Sequence, residues 1–210
     1  LKKNNITFNN EWTQLTSIVK GQIDEDDQFI WETQNKDIYE DMLGKYLDHY
    51  FWKIRYVKFE GSEDDRAEEY AVLINSDGSF NQIRHKLPEN RAGDNLPEHA
   101  AREIALSYLY TKYNNNLDIY SEVSVEPSSL PNRTDWTFIF SEKSDKYEML
   151  EGDLRIKVNI SDSEVASSNR FVFIPEEWER NYENKNESSR ILNFLGGFTM
   201  IFFIGYAISS

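Results

Sequence analysis

Apolar and polar positions repeat with two different periods along this chain, and an unbroken apolar run closes it. FWKIRYVKFEG (51–61) sets Phe51, Lys53, Arg55, Val57 and Phe59 against Trp52, Ile54, Tyr56 and Lys58. Its aromatic and β-branched content predicts a strand. Glu69–Ile74 and Phe80–Leu87 read as two more strands. Asn75, Ser76, Asp77 and Gly78 between them form a hairpin, because Asp-Gly supplies the positive φ of a tight turn. The period of two returns over Leu117–Val125, Thr134–Phe140, Leu154–Ile160 and Val165–Ile174. Pro127, Ser128, Ser129 and Pro131 read as a loop, and Ser161, Asp162 and Ser163 as a turn.

Helical periods lie between these strands. Ala100, Ala101, Ile104, Ala105, Tyr108 and Leu109 give a broad apolar face, so a helix is expected over 96–113, with Pro97 in its first turn. Ile38, Met42, Leu43, Tyr46 and Leu47 predict a helix over 37–48 with Asp37 as N-cap. Trp12, Leu15, Ile18 and Val19 fall at helical spacing and predict one short amphipathic helix. Asp24, Glu25, Asp26 and Asp27 read as a solvated turn, since a calcium loop needs alternating ligands and a glycine turn. Gly61–Arg66 reads as a charged turn. Pro175, Glu176 and Glu177 open a last helix over 176–190, expected to run into the closing apolar run without a break.

The closing run, Ile191–Ile208, reads ILNFLGGFTMIFFIGYAI and carries no charge. At helical rise it is about 27 Å long, close to the thickness of a bilayer core. It predicts a transmembrane helix with the lipid bilayer as its partner. The competing reading is a buried core helix, which eighteen uncharged residues make less favourable.

The expected fold is therefore α+β: two helix-plus-antiparallel-meander repeats and a C-terminal membrane helix. The divisions are 1–36 as a lead segment, 37–89 and 90–175 as the repeats, 176–190 as a juxtamembrane helix and 191–208 as the span. Trp52 and Trp136 stand 84 positions apart, and Asp77 and Asp162 stand 85 apart, which favours a duplication. The strand at 117–125 has no clear counterpart in the first half.

Composition narrows the function classes. The 210 residues carry a net charge of −14, which argues against nucleic acid and against docking on anionic lipid. No cysteine is present, so no disulfide or thiolate metal site exists. His49, His85 and His99 lack the i, i+3 or i+4 spacing of a helical metal site. No nucleophile elbow and no phosphate-binding glycine loop occurs. Glu176, Glu177 and Arg180 approach the Glu-Glu-x-x-x-Arg signature of certain membrane proteases but fall one residue short, and they read as surface residues. Trp52, Trp136 and Trp178 read as packing residues rather than a ligand face. Sequons occur at Asn5, Asn132, Asn159 and Asn186 and matter in a glycosylating host. No catalytic, cofactor-binding or metal position is assigned.

Four segments carry a family resemblance: RAEEYAVLINSDGSFNQIRHKLPE (66–89), LPEHAAREIALSYL (96–109), EVSVEPSSLPNRTDWTFIF (122–140) and RFVFIPEEWER (170–180). In this order they resemble the large extracytoplasmic segment of bacterial CPBP-type, or CAAX-protease-like (ABI family), intramembrane proteases. The repeats resemble tandem PepSY-like modules. The resemblance covers about residues 37–190. It implies a membrane protein whose exported domain is non-catalytic and faces or regulates a peptide or protein substrate. Proteolysis would belong to later membrane helices bearing glutamate, arginine and histidine, and none of those motifs occurs in this sequence. The alternative is a membrane-tethered binding or sensor module with no enzymatic activity.

Overall fold

Eight antiparallel strands build two four-stranded meanders in the computed structural model, which describes residues 6–21 and 24–185. The first sheet holds β1 (Trp12–Val19), β2 (Phe51–Lys58), β3 (Glu69–Asn75) and β4 (Phe80–Lys86), in that spatial order. The second holds β5 (Tyr120–Ser129), β6 (Thr134–Glu142), β7 (Asp153–Ser161) and β8 (Glu164–Phe173). With four helices, α1 (Glu25–Thr33), α2 (Lys36–Met42), α3 (Glu63–Ala67) and α4 (Glu98–Lys112), the architecture is α+β. The chain to Phe173 forms one compact unit, and residues from Ile174 belong to a second. In that second unit residues 176–185 are helical, beginning just after Pro175. The run Ile191–Ile208, and the transmembrane helix expected on it, lie outside the described residues. Among the described residues no helix is long and apolar enough to cross a membrane.

Alternation decided most strands correctly, and the exceptions have physical causes. The helix expected on Trp12–Val19 is instead strand β1, paired from Trp12 opposite Lys58 to Val19 opposite Phe51. Half of its residues (Thr13, Thr16, Ile18 and Val19) are β-branched, which disfavours a helix. Most of β1 is exposed, so no core-facing stripe ever formed on it. Asp24–Asp27 is not a solvated turn but the start of α1. Asp27 is 3% exposed, and its carboxylate accepts from the Tyr39 hydroxyl at 2.9 Å and from the Asp24 N–H at 3.4 Å. Acidic side chains suit a helix N-terminus, where they meet unpaired N–H groups and the positive end of the dipole.

The helix expected over 37–48 is shorter. Asn35, not Asp37, caps it by accepting from the Ile38 N–H at 3.0 Å, and it ends at Met42. Gly44, with φ +74°, then turns the chain back. Gly61–Arg66 folds into the single turn α3, capped by Ser62 and Asp65 accepting from each other's backbone N–H. The predicted loop at 127–129 is the end of β5. Pro127 is tolerated there because β5 is an edge strand and needs a ladder on one side alone.

The main core lies between α4 and the second sheet. Ala101, Ala105 and Leu109, one stripe of α4, pack on Phe138 and Phe140 of β6 and on Ile156, Val158 and Ile160 of β7. Each large side chain buried this way contributes about 1.5–3 kcal/mol. The small alanines let the helix approach the sheet closely. Residues that follow α1 and α2 reach the second sheet and the loop after β6. Gln34 donates to the Glu148 carbonyl at 3.4 Å, and the Tyr46 hydroxyl donates to Glu142 at 2.7 Å. The strand plans of the two halves match, whereas the helices enter differently: β1 precedes α1 and α2, and α4 precedes β5.

The two sheets meet edge to edge at β4 and β8. No backbone ladder joins them, and each strand is the last of its own sheet. Side chains supply the junction: the Ser168 N–H donates to Gln82 Oε1 at 3.2 Å, and His85 Nδ1 meets Glu164.

Candidate binding cleft at the join of the two sheets

Where β4 meets β8, the turn after α2 leaves a cleft of about 350 Å³. Four elements supply its walls. The 44–51 turn brings Tyr46, Asp48 and Tyr50, β4 brings Gln82 and Arg84, the end of α4 brings Lys112 and Tyr113, and β8 brings Ser168 and Arg170. Strand geometry explains part of this. Gln82 and Arg84 are two residues apart and share a face, while His85 points to the opposite face and stacks on Tyr70 at 3.8 Å.

The floor is a hydrogen-bonded network. Ser168, 1% exposed, has its hydroxyl between those of Tyr108 at 2.8 Å and Tyr113 at 2.9 Å. Arg170 donates to Glu142 Oε1 at 2.6 Å, while Tyr46 donates to Oε2 of the same carboxylate at 2.7 Å. The Arg170 guanidinium also lies 4.4 Å from the ring centre of Tyr113 and 5.1 Å from that of Tyr46. Burial opposes charge on Arg170, but Tyr46 and Glu142 beside it outweigh that and hold its pKa above the ordinary value. Burial pushes the phenol of Tyr108 up to about 12 and those of Tyr46 and Tyr113 upward as well, so all three stay protonated at neutral pH.

Arg84 and Lys112 complete the wall as cations. Arg84 is exposed, and among the described residues its side chain has no hydrogen bond and no ion pair. The surrounding protein lowers its pKa, with Asp48 opposing the shift. Lys112 donates to the Asn81 carbonyl and lies 5.2 Å from the ring centre of Phe80. Burial lowers its pKa, and the charge of Arg170 adds to the effect. Among the described residues neither cation meets a carboxylate within ion-pair distance. In a chain of net charge −14 this is a local reversal of sign.

The residues weighed in the sequence are scattered by the fold. His49 lines the cleft and packs edge-on to Tyr50, with ring centres 5.5 Å apart. His85 is held by Glu68 at 3.1 Å and by Glu164, and His99 is exposed on the first turn of α4. Among the described residues no group of three histidine or carboxylate side chains could hold a metal ion. Trp52 lies on the first sheet. Trp136 lies on the second, with its indole donating to the Leu96 carbonyl at 3.0 Å and its ring against the core. In the second unit Trp178 stacks on Tyr182, and Arg180 meets Glu176 at 3.5 Å with both side chains exposed, so the acidic pair there is a helix surface. Asn159 is bonded to Thr137 and Ser167, and Asn132 donates to the Asn90 carbonyl. Asn5 and Asn186 lie outside the described residues.

Sequence reasoning passed over Arg84, Lys112, Tyr113 and Arg170. The Gln82/Arg84 alternation on β4 was visible, but its meeting with β8 and α4 is a property of the topology. Comparisons of the chain with protein-family models, with curated proteins and with solved structures find no match.

Proposed function

We propose that this chain is the extracytoplasmic, non-catalytic part of a CPBP-type intramembrane protease, built from tandem PepSY-like modules and serving to receive or regulate substrate. The observation that carries the reading is the order of its parts. A two-sheet α+β unit ends at Phe173, a helical stretch follows at 176–185, and the uncharged run begins at Ile191. The two meanders of equal strand number support the tandem arrangement, and the resemblance over about residues 37–190 supports the family. Proteolysis would then be carried by later membrane helices. In the protease that carries this domain, deleting residues 1–173 should change cleavage rate or substrate choice. Unchanged proteolysis on a panel of membrane substrates would sink the proposal.

A second reading, a membrane-tethered binding or sensor module without enzymatic activity, draws on the cleft itself. Its lining of cations, phenols and aromatic rings is suited to holding a ligand. Continuation of the gene separates the two. Further membrane spans with paired glutamates favour the protease, and a short polar tail favours the sensor.

A further inference from the structure

The charges around the cleft do not cancel. Lys45 is paired with Asp41 at 2.9 Å, and Arg170 with Glu142 at 2.6 Å. Asp41 is shared with Lys146, and the remaining charges of the lining are Arg84, Lys112 and Asp48, so the cleft carries an excess of positive charge. An excess of positive charge suits an anionic ligand. Arg84 presents a guanidinium fork with no partner among the described residues, a geometry complementary to a carboxylate. Lys112 adds a second donor from α4. Two aromatic rings in the same wall stand unusually open for their size: Tyr50 is 50% exposed and Phe80 is 59% exposed. The volume, about 350 Å³, lies at the small end of ligand pockets.

We propose that the cleft binds a monocarboxylate borne on an apolar or aromatic body, with Arg84 and Lys112 holding the carboxylate and Tyr50 and Phe80 flanking the body. The inference rests on reading the domain as one that receives a ligand or substrate, and it names the ligand chemistry. The carboxylate could come from a free small acid or from the C-terminus of a peptide, and the two share the same recognition.

Titration calorimetry on the full chain in non-ionic detergent tests it with four probes: phenylacetate, the tripeptide Gly-Gly-Phe, its C-terminal amide, and inorganic phosphate. The free acids should bind saturably, and the amide should be about tenfold weaker or worse, because a charge-assisted bond is lost. Arg84→Gln and Lys112→Met should each weaken the acids by about tenfold, and Arg84→Lys should retain part of the binding. Lys143→Gln, an exposed cation away from the cleft, should bind as wild type. Tighter binding of the tripeptide than of phenylacetate supports a peptide C-terminus, and equal binding supports a free acid. The site is overturned if the amide binds as well as the acid, if phosphate competes equally, or if the folded chain binds none of the probes. Should Arg84→Gln leave binding intact while deletion of residues 1–173 still alters proteolysis, the carboxylate site is wrong and the reading of the domain as the substrate-receiving part of a protease survives.

Discussion

Ser168 donates its backbone N–H to Oε1 of Gln82 at 3.2 Å, and this bond from β8 to β4 crosses from one sheet to the other. Both residues are buried, and the two strands share no ladder. Gln82→Met keeps the volume but leaves the Ser168 N–H buried without an acceptor, which costs about 1–3 kcal/mol. Urea unfolding should show that loss as a lower midpoint with the slope unchanged. A midpoint unaltered by the substitution would mean that the sheets are held together elsewhere.

Glu142 gathers two donors from distant parts of the chain, Tyr46 and Arg170. Removing the carboxylate in Glu142→Ala strands the part-buried Arg170 guanidinium, and the expected cost is about 3 kcal/mol. Tyr46→Phe removes one donor and leaves the ion pair, so about 1 kcal/mol is expected. The double variant should cost less than the two losses added together, because both act on one network. Simple additivity in denaturant unfolding would contradict this.

Gly152 has φ +77°, and a Cβ there would stand 2.7 Å from the Phe173 carbonyl oxygen and 2.9 Å from Phe29 Cε1. Backbone cannot give way as a flexible side chain can. Gly152→Ala should therefore destabilise the fold by about 2–3 kcal/mol from strain and displacement together. Gly78 has φ +84° but open space around it, so Gly78→Ala should cost about 1 kcal/mol from strain alone. Thermal unfolding that ranks the two in reverse would refute the steric account.

Asp26 sits among carboxylates at the start of α1. Burial, then Asp24, Asp27, Asp48 and Glu25, raise its pKa from 3.8 to about 6. A raised folded-state pKa means that the native protein holds the proton more tightly than the unfolded chain does. Stability from this group is thus present below about pH 4, falls as pH rises toward 6, and is gone above it. Asp26→Asn should raise the melting temperature at pH 7.5 and change it little at pH 4. An equal gain at both values would rule out Asp26 as the titrating group.

How much of this was legible in the sequence differs by element. Val57, Leu73, Phe138 and Ile156 sit in strands whose alternation marked them, and Ala101, Ala105 and Leu109 lie on the face that helical period predicted for α4. Trp12–Val19 was misread because apolar residues at positions 12, 15, 18 and 19 fit a helical spacing and not a strand's alternation, and its partner β2 begins 32 residues after Val19. Asp27 looked like a surface charge until Tyr39 supplied a donor from the next helix. The cleft was illegible for a stronger reason. Arg84, Lys112 and Arg170 come from three elements, and nothing in their spacing brings them to one wall.

The most direct test of the account is to compare residues 1–210 with residues 1–188 for membrane partition and thermal unfolding. The account predicts that the long form partitions into membranes or detergent, while the short form stays in water and unfolds in one cooperative transition. A short form that aggregates or melts without cooperativity, beside a long form that is soluble without detergent, would make the uncharged run part of the core. That result would remove the physical basis for placing this domain beside a membrane.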